Sequence, residues 1–216
     1  MKSELCYDEG KEKREVHVLK REVWVAKVIP AIILFSLWLD GWFFPLILLP
    51  IIYVLFVEKK SLEWLGFSKD KLYFSLSSGV IITLVLSVVY YPIFLYYLDI
   101  MKTGIVTIYS VFLDVVWYPI YEEVTYRSFL FSHFAEVDQS YLSSRNLIVN
   151  LFQSLLFLSI HKHHFSTPLV LLPVFFLGLV NGFLFLKTRN IYGCIVSHSA
   201  LNGFALLLKY LFQVAP

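Results

Sequence analysis

What most limits the folds open to this chain is the series of apolar segments that begins near residue 23 and runs almost to the end of its 216 residues. A hydrocarbon core of about 30 Å is crossed by roughly 20 apolar residues as helix. On that ruler the sequence divides into about seven segments, near residues 23–39, 42–57, 72–98, 104–134, 146–161, 168–186 and 191–212. The hydrophobic content of 58% against 16% charge, with a mean hydropathy of +0.71, lies well outside the soluble globular range. The expected fold is all-α: a polytopic membrane helical bundle with about seven transmembrane helices. It is preceded by a charged tail (1–22) and forms one domain from 23 to 216.

Charge sets the expected orientation. Asp40-Gly41 separates the first two segments as a hairpin, which puts the tail and the lysine-rich loop "EKKSLEWLGFSKDK" (58–71) on one side. Arg145, Lys187 and Arg189 fall on that same side, whereas the opposite loops carry only Lys102 and Lys162. The positive-inside rule makes the basic side cytoplasmic. The expectation is therefore a multi-pass protein of the cell (plasma) membrane with its N-terminus in the cytoplasm. The tail mixes acidic and basic residues throughout and lacks the short apolar core of a cleavable signal peptide. The net charge of +2 is spread through loops, so nucleic acid is excluded as a partner and lipid is expected. Cys6 and Cys194 share no repeated spacing and imply no disulfide or thiolate site. Trp24, Trp38, Trp42, Tyr53, Tyr90 and Tyr91 near segment ends suit interfacial belts.

Inside the fourth segment stands "YEEVTYRSFLF" (121–131), with two glutamates and an arginine. A charge near a helix centre costs about 2.5–3.5 kcal/mol on insertion scales, against gains of about 0.3–0.6 per apolar side chain. Three charges nearly cancel the segment's own drive to insert, and such groups mark a functional site by default. Glu123 and Arg127 are one turn apart with the acid N-terminal, the favoured orientation for an ion pair. Glu122 lies about 100° around the helix and is left as a candidate general base. His161, one turn after Phe157, and the His198/Asn202 pair on one face of the last segment are the other polar groups at comparable depth.

The order "EEVTYR" (122–127), "FLSIH" (157–161) and "HSALN" (198–202) resembles the three signatures of the CAAX prenyl protease type II and bacteriocin-processing (Abi, CPBP) intramembrane endopeptidase family, over about residues 115–205. The resemblance implies that Glu122 and His161 hold and deprotonate the attacking water. His198 and Asn202 then donate hydrogen bonds to the oxyanion, with Glu123, Arg127 and Phe157 in support. It further implies a metal-free glutamate mechanism, a prenylated CAAX or other membrane-associated peptide as substrate, and a conical cavity open to the cytoplasmic leaflet. Zinc held by Glu122, His161 and His198 is the alternative chemistry, although no HExxH is present. A non-catalytic immunity or scaffold protein, or a small transporter with Glu122 and Asp114 as a proton relay, is the alternative function. His163 and His164 read as loop residues. Asp40, Asp99 and Asp114 fit no aspartyl-protease setting, and Asp114 has no evident role beyond helix packing.

Overall fold

Seven apolar segments separated by short polar turns leave little choice but antiparallel helices, and that is what the chain forms. In a computed structural model, residues 27–40, 48–100, 106–136, 140–161 and 168–214 are described. The tail, the Asp40-Gly41 turn beyond its first residue, Lys102, and the loop holding Lys162, His163 and His164 lie outside them, as do Cys6, Trp24 and Trp42. Among the described residues there is helix and no strand. Helix α1 is Ile29–Asp40. Helix α2 runs from Leu49–Ile52 into a π-helical turn at Tyr53–Val57. Helix α3 is Leu72–Ile100 and includes Pro92. Helix α4 occupies residues 108–134, α5 is Ser144–Ile160, α6 is Pro168–Thr188 and α7 is Tyr192–Val214.

Stretches of α3, α6 and α7 (Leu72–Tyr96, Leu169–Thr188 and Tyr192–Phe212) are long and apolar enough to cross a membrane. Side chains such as Leu84 and Val88 on α3 and Ile148 on α5 are more than 60% exposed, which suits faces solvated by lipid. These spans mark the chain as an integral membrane protein.

Helix α4 departs from a regular helix twice. It is π-helical over Phe112–Trp117 and again over Glu123–Phe129, with an α-helical turn at Tyr118–Glu122 between them. Pro119 stands at the start of that turn. Proline has no N–H to donate to the preceding turn, and a widened turn just before it absorbs the loss. At Pro119 the helix thus changes pitch and is not interrupted. The second π-helical run carries the charged motif, and such turns recur at functional sites.

The loop after α2 is clasped onto the α6–α7 turn. Asn190 Nδ2 donates to the carbonyls of Ser68 (2.7 Å) and Asp70 (3.0 Å), and Ile191 N donates to Gly66 O at 3.0 Å. Gly66 sits at φ +85°, the left-handed region that glycine tolerates. Lys71 Nζ reaches Lys187 O at 3.2 Å, Arg145 pairs with Glu136 at 3.1 Å, and Lys27 at the head of α1 donates to His133 O. The basic residues predicted to share one side therefore meet at one end of the bundle. Close helix contact under this end needs residues without side chains: a Cβ on Gly79 of α3 would run into the backbone of Gly193 on α7, and one on Gly193 into that of Ser75.

Candidate active site

Each charged group of the fourth segment has a distinct setting. Glu123 and Arg127 are fully buried and paired at 3.3 Å (Oε2 to Nε), as the i, i+4 spacing predicts. The guanidinium lies over the Phe157 ring, 3.9 Å from its centroid, an arrangement stabilised by the ring's negative face. Phe157 thus serves as the floor for the cation as well as the spacer before His161.

Glu123 also receives His198. The imidazole Nδ1 stands 2.8 Å from Glu123 Oε1, and Nε2 stands 3.6 Å from Glu122 Oε2. A carboxylate paired with arginine carries no proton of its own, so the Nδ1–H donates to it. Nε2 is thereby directed toward Glu122. When the imidazole carries both ring protons, Nε2 is an N–H as well. In that form Nε2 is a donor beside Glu122.

Asn181 of α6 completes the support. Its Nδ2 donates to Glu123 Oε1 (3.3 Å) and to Cys194 O (3.1 Å), and its Oδ1 accepts from Ser197 Oγ at 2.7 Å. Sequence reasoning missed both residues, although a lone asparagine in the apolar run "FFLGLVNGFLFL" was a signal of the same kind as the glutamates. A further buried group, Asn150 and Gln153 of α5, ties α5 to α6 by donating to Leu179 O (3.1 Å) and Gly178 O (2.8 Å). Cys194 is a free, buried thiol.

His161 caps the C-terminus of α5. Its Nδ1 lies 2.9 Å from Phe157 O, so it donates there and leaves Nε2 as the ring's acceptor. His161, His198 and Asn202 line one cavity of about 90 Å³, with apolar walls from Tyr90 and Phe94 of α3 and Val170, Pro173 and Leu177 of α6. That volume accommodates several waters. Glu122, with 12% of its side chain exposed, stands behind His198 and is not part of the wall. Asn202 Nδ2 donates to the main-chain carbonyl of Asp114 at 2.8 Å, inside the first π-helical run of α4. One of its two amide protons is committed there, and one remains for another acceptor. Among the described residues no three His, Cys, Asp or Glu side chains converge as a metal-ligand set.

The cavity occupies the half of the bundle away from the basic end.

Residues 103–204 match the family model described as type II CAAX prenyl endopeptidase Rce1-like. Over these residues the chain is similar to the Rce1-like family. The matched stretch contains all three motifs and every group of the site described above except the α3 wall. No curated protein and no solved structure matches the chain at a significant level. The Rce1-like family is a family of proteases, which supports a peptidase at the family level.

Proposed function

We infer that the protein is a CAAX-protease-like intramembrane endopeptidase that hydrolyses a peptide bond in a membrane-associated substrate with a water activated by Glu122. The observation that carries this reading is the division of labour around His198: Glu123 holds Nδ1 at 2.8 Å while Glu122 faces Nε2 at 3.6 Å beside the cavity. One carboxylate is spent on Arg127 and on orientation, and the other remains for the water.

In this reading Glu122, with the His161 Nε2 as second acceptor, takes a proton as the water oxygen attacks the scissile carbonyl carbon. The oxyanion receives Nε2–H of His198 and the second amide proton of Asn202. On collapse the C–N bond breaks, and the proton held by Glu122 passes to the leaving amine. Donors aimed at a developing oxyanion are worth more in a site that excludes water, which a membrane interior provides. Arg127, Glu123 and Phe157 position His198 and touch no substrate. No cofactor or metal takes part in these steps. The basic end faces the cytoplasm and the host bilayer is the plasma membrane. Prenylated CAAX peptides or other lipid-associated peptides are the substrate class.

The test is cleavage by the purified chain in detergent, where both faces of the protein are open to peptide. Farnesylated and unprenylated forms of one fluorescent CAAX peptide are compared, with Glu122→Ala alongside. Cleavage that disappears in the variant is expected, and a preference for the farnesylated form would report recognition of the lipid. Equal activity of the variant would refute the assignment.

A further inference from the structure

Asn202 is oriented from outside its own helix. A carbonyl oxygen can only accept, so the amide edge that meets Asp114 O is Nδ2 and not Oδ1. The contact therefore fixes which way the side-chain amide is turned, and with it the second N–H that remains at the cavity Asn202 lines. The acceptor comes from the interior of a helix, where main-chain carbonyls are ordinarily taken by the helix itself.

The register of α4 frees this one. In an α-helical turn Asp114 O would receive the N–H of Tyr118, four residues on. The stretch Phe112–Trp117 is π-helical instead, and the Tyr118 N–H donates to Leu113 O, five residues back. In that same register the donor to Asp114 O would be residue 119. Residue 119 is a buried proline and has no N–H to give. Of the two donors that could close this turn, one is shifted to the preceding carbonyl and the other is missing. Main-chain groups released by proline within a membrane are satisfied by neighbouring helices. Here the neighbour is α7: Asn202 Nδ2 takes the carbonyl at 2.8 Å, and the next residue, Gly203, lies beside Val115. The Asp114 side chain takes no part in the contact.

We propose that Pro119 is a positioning residue for the reaction. By withholding an N–H from Asp114 O it leaves that carbonyl to Asn202, and the amide so fixed keeps its second proton for the oxyanion. This rests on the endopeptidase reading above, which gives Asn202 its task.

The test supplies the missing N–H by Pro119→Ala in the full chain, and its first readout needs no activity. In detergent-solubilised protein labelled with 15N-asparagine, the Asn202 side-chain amide is identified by its absence in Asn202→Ala. One of its two protons is expected to exchange slowly with water in the unsubstituted chain and to lose that protection in Pro119→Ala. The α-hydroxy analogue of alanine, placed at 119 by nonsense suppression, lacks the N–H and is expected to restore it. Protection absent from the unsubstituted chain, or kept in Pro119→Ala, overturns the proposal. Failure of the α-hydroxy analogue to restore protection also overturns it, because the effect then belongs to the proline ring.

The second readout is turnover of a lipidated peptide. A misplacement of about 1 Å costs on the order of 10² in rate, so kcat of Pro119→Ala is expected to fall by about that factor with KM little changed. In an Asn202→Ala background the same substitution is expected to cost nothing further. Equal losses in the two backgrounds overturn the proposal and leave the endopeptidase reading intact. Absence of cleavage by the unsubstituted chain overturns that reading and the role in turnover with it, while the amide signature reports on the link from Pro119 to Asn202 independently.

Discussion

The two halves of this bundle are assembled on opposite principles. Under the basic loops, α3 and α7 touch backbone to backbone at Gly79 and Gly193, beside two buried apolar clusters. Beyond mid-membrane the same two helices stand apart by the width of aromatic rings, with Phe94 and Phe204 centroids 5.8 Å apart, and a cavity with two histidines and an asparagine opens between α3, α5, α6 and α7. The charged motif of α4 lies at the border. The closed half thus acts as a rigid base on which Glu123, Arg127 and Asn181 fix His198 at the floor of the open half.

Variants on either side of the border should differ in kind. The largest expected effect is on stability, at the border itself. Arg127→Ala leaves Glu123 buried without its cation, and breaking a buried pair costs about 3–5 kcal/mol; this should appear as a large fall in the thermal midpoint in detergent, with activity lost as a consequence. His198→Ala acts in the open half, and loss of an oxyanion donor costs about 10²–10³ in rate. A turnover assay is expected to show that loss with a far smaller change in melting than Arg127→Ala. In the closed half, Gly193→Ala drives a methyl into the Ser75 backbone, and overpacking of this kind costs about 1–3 kcal/mol. Gly203→Ala places its methyl at 3.8 Å from Val115, an ordinary contact, so its stability should change by less than about 0.5 kcal/mol. If the two glycine variants melted alike, the contrast between the halves would be wrong. Smallest of all, exhaustive chelation should leave turnover unchanged, and a loss restored by zinc would point instead to ligation by Glu122, His161 and His198.

Much of this was legible in the sequence because membrane insertion makes polarity costly. Apolar runs located the seven helices to within a few residues wherever the chain is described, apart from the start of α2. Helical spacing gave the Glu123–Arg127 pair, since an i, i+4 relation needs no knowledge of the rest of the fold. Long-range partners were less accessible. Nothing near Asn181 in sequence says that its amide meets Glu123, because that contact depends on how α6 packs against α4. The acceptor for Asn202 is a main-chain carbonyl, a group every residue has, so no residue type could signal Asp114 as its partner. The side on which the cavity lies depends on which helix ends meet and on where Gly79 and Gly193 close the bundle. Neither follows from hydropathy.

The central claim is that the two adjacent glutamates have different work, and paired substitutions address it most directly. Purified Glu122→Gln and Glu123→Gln proteins are compared with the unsubstituted chain for cleavage of one lipidated peptide and for melting in the same detergent. Glu122→Gln is expected to melt within a few degrees of the unsubstituted chain and to lose turnover by about 10²–10⁴, the range of a general base. Glu123→Gln is expected to melt far lower, because it unpairs Arg127 and releases His198. Turnover by Glu122→Gln equal to that of the unsubstituted chain would contradict the account.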